Sequence, residues 1–345
     1  MRTLTRGLAI LSAACSSLLP AAYAGSTPQY HLTRSVSIPG DDGWDYLSFD
    51  APNAHLFVTH GTRVQVLDTR DLKVIGQIPD TPGVHGVALA HDLGRGYVSA
   101  GSSNTVVVFD LKSLATIATL KVTGEVPDAI LYDPFTKRVF TFNGRGRNST
   151  VIDAVRNSVV ATIPLDAKPE FAVSEGSGLV YVNLEDRNSL AQIDARKATV
   201  EKVWSIVGCE APTGLAIDRA HHRLFTVCSN KVMVVMDADT GRIVASLPIG
   251  AHVDGAAFDD REGLAFASAG DGTLTVVREE SPDQFQVVQT VATKLGARTL
   301  ALDEQTHRIY TVTATLNAPP PASAADPRPR PRIEAGSFVL LELSP

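Results

Sequence analysis

Residues 213–250 read TGLAIDRAHHRLFTVCSNKVMVVMDADTGRIVASLPIG. Val, Ile, Leu, Phe and Thr fill the short runs, while Asp, Asn, Gly and Pro fill the breaks, the pattern of strands joined by tight turns. An inner strand ends at Asp218, and a second follows the turn. Val232–Asp237 is a third strand, 237–241 a turn, and 242–247 a fourth strand stopped by Pro248.

The same unit recurs along the chain. Its turn-opening residue is Asp50, Ala90, Asp133, Ser174, Asp218, Asp259 and Asp303, at gaps of 40, 43, 41, 44, 41 and 44 residues. Eight residues beyond each opener lies a second-strand position: Val58, Val98, Thr141, Val182, Thr226, Ala267 and Thr311. Four strands in each of seven units predict an all-β, seven-bladed propeller of four-stranded antiparallel blades. A solenoid would need a polar cap at each end, and neither end reads as one. The last unit holds strands at 300–303, 308–312 and 337–343 but lacks a fourth. Residues 37–45 align without gaps to residues 246–254. Residues 30–38 are therefore expected to supply the missing outer strand and shut the ring, leaving no open sheet edge.

Phe57-Val58-Thr59-His60, Tyr97-Val98-Ser99-Ala100 and Tyr181-Val182-Asn183-Leu184 resemble the YVTN repeat. The D-x-x-T-G turn with its following V-x-x-L-P-I-G resembles the second half of that repeat. The chain is thus similar, over nearly all its length, to the YVTN-repeat, YncE-like seven-bladed propellers of the bacterial periplasm. That resemblance implies a rigid exported propeller. It also implies DNA binding in at least one relative.

Composition is that of a globular protein, with 20% charged and 44% hydrophobic residues. Formal net charge is −6, and Arg2 and Arg6 lie in the first 24 residues. An acidic balance argues against nucleic acid or an anionic membrane as partner. Residues 1–24 combine those arginines, an apolar stretch and a small-x-small site at Ala22-Tyr23-Ala24. They read as a secretory signal peptide, leaving residues 25–345 as the propeller. The mature chain is expected to be periplasmic or secreted, monomeric and without a membrane span. Cys209 and Cys228 both fall near one face of the fifth unit, and an oxidising compartment permits a disulfide between them.

In an antiparallel blade, the start of the inner strand and the loop between strands two and three share a face, the mouth of the central channel. Counting five back from each opener places Asp45, His85, Asp128, Pro169, Thr213, Asp254 and Arg298 there, flanked by Glu170 and His252. The second loop adds His60, Arg145 and Glu185. Carboxylates and imidazole in one ring suit a divalent metal or a small polar ligand, or acid–base chemistry at a histidine. The competing reading makes these side chains simple ties between blades, bonding loop amides. A Pro- and Arg-rich insert at 317–335 emerges on the same face, as a lid, a docking strand or an unstructured loop.

No G-x-S-x-G, H-E-x-x-H or C-x-x-C-H motif is present. The first functional reading is a binding module that offers its polar mouth to a small ligand or a protein partner. A metal-assisted hydrolase or lyase using the Asp/His ring is the alternative, and single-stranded DNA binding is a third. No cofactor is specified beyond the divalent metal that the ring would accept.

Overall fold

A computed structural model of the chain describes residues 28–319, 321 and 332–345. The segment read as a signal peptide, and residues 320 and 322–331 of the insert, lie outside them. The described residues form seven separate four-stranded antiparallel sheets. The first blade consists of Trp44–Asp50, His55–His60, Arg63–Asp68 and Lys73–Ile78 in that order. Five more blades repeat this order, and their first strands neighbour one another around a closed circuit.

The seventh blade is built from both ends of the chain. Its sheet runs Ala301–Asp303, Arg308–Thr313, Val339–Ser344 and then His31–Ser37. The closing pair is in register from His31 opposite Ser344 to Ser37 opposite Val339, with one irregularity between Leu32 and Arg34. The Ile38 N–H continues the ladder to the Phe338 carbonyl at 3.0 Å. The expected closure is present, and the seventh blade has its four strands like the others.

Two local expectations need correction. The outer strand of the fifth blade runs Ile243–Pro248, so Arg242 belongs to the turn and Pro248 is the strand's last residue. In the fourth blade Ser174 pairs with Val180, whereas in the other blades the residue before the opener holds that place, as Tyr132 does opposite Val139. The opener there is Glu175. The turn is one residue shorter because Gly176 and Gly178 adopt φ of +85° and +110°, which a residue with a Cβ rarely does. Counting five back from Glu175 gives Glu170, so Glu170 replaces Pro169 as that blade's ring residue.

A buried aromatic occupies the same second-strand position in every blade: Phe57, Tyr97, Phe140, Tyr181, Phe225, Phe266 and Tyr310, each without solvent exposure. These rings pack from one blade to the next. Phe225 of the fifth blade stacks on Phe258 of the sixth at 5.0 Å and meets Phe285 edge-on at 5.7 Å. Tyr30, just before the closing strand, packs edge-on against Phe266 at 5.1 Å. At the face opposite the mouth, the opener carboxylates of Asp50, Asp133, Asp218, Asp259 and Asp303 are buried. They accept hydrogen bonds from the amides of their own turns, as Asp133 does from Thr136 at 2.9 Å.

Cys209 and Cys228 are joined by a disulfide, with their Cα atoms 5.4 Å apart. It staples the loop before the fifth inner strand to the end of its neighbour. Replacing both by serine should cost on the order of 3 kcal/mol, given the short loop closed. Phe225→Ala should cost about 3–5 kcal/mol through the cavity left between two blades. Urea unfolding measures both, and a loss below about 1 kcal/mol for Phe225→Ala would show that the blade interface relaxes around it.

Candidate functional site: the channel mouth

The mouth is shaped by a backbone irregularity common to six blades. At the start of each inner strand the register slips, between Trp44 and Leu47, Val84 and Val87, Pro127 and Ile130, Pro169 and Ala172, Pro212 and Leu215, and Val253 and Gly255. Bulges re-aim the residues they carry. Asp45, His85, Asp128, Glu170, Thr213 and Asp254 occupy them, and Arg298 precedes the short inner strand of the last blade.

Small hydroxyl and amide side chains tie the blades together here. Ser48 donates to the Val87 carbonyl at 2.6 Å and Ser99 to that of Asp128 at 2.6 Å. Asn183 donates to Thr213 at 2.8 Å, Thr213 to Val253 at 3.1 Å, and Ser268 to Arg298 at 2.5 Å. Thr299 completes the circuit by donating to the Asp45 carbonyl at 2.7 Å. The blade-tying role that sequence reasoning weighed for the ring's acids and histidine thus falls largely to other residues. The charged side chains of the ring instead face one another.

They form a chain in which each cation lies between two carboxylates. His85 Nδ1 is 2.6 Å from Asp45 Oδ2 and 3.4 Å from Asp128 Oδ1. The Arg298 guanidinium donates to Asp254 at 2.8 Å and reaches within 3.9 Å of Asp45. Lys168 donates to Glu170 at 2.6 Å and also pairs with Glu185. Five carboxylates therefore surround three cationic groups. Of these, Asp45, His85 and Arg298 border a cavity of about 720 Å³, together with Trp44, Asn104, Glu125 and Arg145. Beneath them Tyr46 of the first blade meets Phe171 of the fourth edge-on at 5.0 Å, an aromatic contact that spans the channel and floors the site.

Burial in this acidic setting moves the titrations. Burial pushes Asp128 up to about 6, against the pull of His85, and burial with the charge of Asp45 does the same to Asp254. Burial and Asp128 raise Glu170 to about 8 despite Lys168. For His85 burial acts downward, but the hydrogen bond to Asp45 and the charge of Asp128 outweigh it and hold the ring at about 9. The Tyr46 hydroxyl is driven well above its ordinary range by burial and by the carboxylates above it.

Three of the residues singled out from sequence do not join this cluster. His60 is fully buried and stacks on Phe338 at 4.3 Å with an interplanar angle of 2°. Neither of its nitrogens has a hydrogen-bond partner among the described residues, and burial lowers its pKa to about 4. Gly40, at φ +121°, packs its backbone directly onto that imidazole. His60 is thus a core residue of the closing seam. His252 is exposed on the loop before the sixth blade and lies against Gly270, with Asp271 as its neighbouring carboxylate. Arg145 is exposed and borders the cavity on the far side of His85. Sequence reasoning passes over Lys168, Tyr46 and Phe171. The last two directly follow ring residues on the bulges, which is the signal that could have found them. Lys168 carries no repeat signal of its own.

The two limbs of the insert pair with each other at their base, Asn317 donating to Arg332 at 2.8 Å and Glu334 to Thr315 at 2.9 Å. Leu316, Arg332 and Ile333 border a second cavity with Trp44 and Arg298, so the base of the insert adjoins the mouth.

Fold and site together define a seven-bladed β-propeller with an acidic, partly desolvated channel mouth. No family model matches the chain, and no curated protein matches it either. Its structure is similar to that of Kuenenia stuttgartiensis hydrazine synthase, with a TM-score of 0.70 at 18% identity over 79% of this chain and 93% of that one. It is equally similar to a chain in the crystal structure of the mitotic checkpoint complex, with a TM-score of 0.71 at 16% identity over 96% of this chain and 99% of that one. At these identities the likeness is one of fold. No helix among the described residues is long and apolar enough to cross a membrane.

The His85 titration gives a signed prediction. Its folded-state pKa lies above the ordinary histidine value of 6.5. Its contribution is therefore complete below about pH 6.5 and is lost as pH rises through about 9. Thermal stability should fall across that window, by an amount on the order of 2 kcal/mol for the wild type, and His85→Asn should flatten the profile. A wild-type profile that rises over the same window would contradict the pairing.

Proposed function

We propose that the protein is an exported, monomeric binding protein of the YVTN-repeat, YncE-like kind, and that its channel mouth takes up a small cationic ligand. The observation that carries this reading is the charge balance of the ion-pair cluster at the mouth, where five carboxylates meet three cations. At neutral pH Glu170 holds its proton, and the four remaining carboxylates against three cations leave one uncompensated negative charge in a setting where water screens it poorly. A cationic ligand would relieve that surplus, and Tyr46 and Phe171 would give it an aromatic floor suited to a cation. Export is supported by the N-terminal sequence and by the Cys209–Cys228 disulfide. Nucleic acid is disfavoured by the same acidic mouth.

A second reading rests on a separate observation. Asp45, His85 and Asp128 each offer a ligand atom, and all three lie within 4.8 Å of one another. They suit a divalent metal that keeps open positions toward the cavity, as a metal-assisted hydrolase or lyase requires.

Isothermal titration with putrescine and separately with Mn²⁺ discriminates the two. The binding-protein reading expects one putrescine site, weakened at least tenfold by Asp128→Asn and strengthened as pH rises from 5 to 7 while Asp128 and Asp254 ionise near 6. Tight Mn²⁺ binding that His85→Ala abolishes, with no response to putrescine, would transfer the assignment to the metal reading. Preference for an anion over both would overturn the two together.

A further inference from the structure

A second cluster lies at the opposite end of the blades, between the fifth and sixth. Asp218 opens the fifth blade's first turn, and His221 sits three residues on in that turn. His221 Nδ1 is 2.7 Å from Asp218 Oδ2. This half of the cluster is ordinary for the fold. Asn53, Thr136 and Thr306 occupy the same position in their own blades and bond their own openers.

The other half breaks the repeat. Glu279 follows the six-residue core of the sixth blade's third strand, and its N–H donates to the Gly263 carbonyl at 2.9 Å. The residues that make the equivalent contact in other blades are Thr69, Leu111, Ala154, Ala195 and Ala238, all buried and none ionisable. Only the sixth blade puts a carboxylate there. The Glu279 side chain is 4% exposed, and among the described residues neither of its oxygens receives a well-aligned hydrogen bond. Its one ion-pair partner among the described residues is His221, whose Nδ1 lies 2.8 Å from Oε1. A single imidazole N–H directs its bond to one acceptor, so it cannot serve Asp218 and Glu279 equally. A buried carboxylate without a donor is costly unless a proton or a cation meets it.

We propose that Asp218, His221 and Glu279 form a divalent transition-metal site that bridges the fifth and sixth blades. Their ligand atoms lie within 4.8 Å of one another. The two close separations, 2.7 and 2.8 Å, approach the roughly 3 Å between adjacent ligands in an octahedral shell with metal–oxygen bonds of about 2.1 Å. One imidazole nitrogen with two carboxylates suits zinc or manganese better than calcium. Coordination would use the Nδ1 lone pair and leave the ring proton on Nε2. His221 is 49% exposed, so an ion can enter and water can fill the remaining positions. The ion would pin one blade to the next at the face away from the mouth, a structural role independent of what the mouth binds.

The test uses the His85→Ala protein, in which the mouth has lost its nitrogen ligand. Equilibrium dialysis against Zn²⁺ at pH 7.5 should leave about one equivalent bound, and added Zn²⁺ should raise the melting temperature. Adding Glu279→Gln, which keeps the shape of the side chain, should abolish both effects. If that variant fails to fold, His221→Ala at the half-exposed position should weaken binding at least tenfold. Failure of the His85→Ala protein to retain Zn²⁺ would overturn the proposal. So would undiminished retention in both cluster variants. Neither outcome bears on cation uptake at the mouth, which is read from wild type and Asp128→Asn.

Discussion

The antiparallel pairing of His31–Ser37 with Val339–Ser344 is the constraint on which the rest depends. A propeller blade buries its faces only against its two neighbours, so an array that stayed open would expose two blade faces as well as two sheet edges. Joining the chain's first strand to its last blade converts seven sheets into a circle. The hydrogen bond from Thr299 to the Asp45 carbonyl then brings the last blade's inner strand against the first. Because the circle is closed, residues at equivalent positions are held at fixed intervals around one axis. Asp45 and Arg298, 253 positions apart in the chain, come within 3.9 Å only for that reason.

Within the circle, function is written as substitution on a constant backbone. Each bulge at the start of an inner strand turns its residue toward the channel whatever that residue is. The repeat does not specify Asp45, His85, Asp128 or Glu170. It specifies the place from which they point. Glu279 makes the same point at the other face, where five blades place a small or apolar side chain and the sixth a carboxylate. Departures from the repeat therefore mark where the chain does something besides fold, since positions that only fold converge on what packs best.

The electrostatics of the mouth follow from two opposed effects. Burial disfavours every charge, and pairing restores it only where a partner is near. His85 has carboxylates on two sides and stays protonated well above its ordinary range, whereas burial, reinforced by the charge of Asp45, raises Asp128 and Asp254 despite their cationic partners. The opener aspartates of the opposite face are just as deeply buried, yet turn amides bond them; at Asp218 these amides hold Oδ1 and leave Oδ2 to His221. A carboxylate oxygen held by backbone amides is a structural device, while one held by a neighbouring side chain remains open to exchange with a ligand.

Strand number, blade number, ring closure and the face of the ring residues were legible from the chain alone, because a period near 42 residues and the alternation of apolar runs with turn residues are local properties. The one-residue slip in the fourth blade escaped that reading, since a turn shortened by Gly176 and Gly178 leaves the total spacing unchanged. Side-chain fate escaped it more fully. His60 and His85 are both histidines at the mouth end of neighbouring blades. One is stacked against Phe338 and neutral, while the other is charged between Asp45 and Asp128. Residues from other blades make that difference, Phe338 of the seventh for His60, and Asp45 of the first with Asp128 of the third for His85. Periodicity carries backbone position forward along the chain, but burial and pairing are set by neighbours that come together only once the ring has closed.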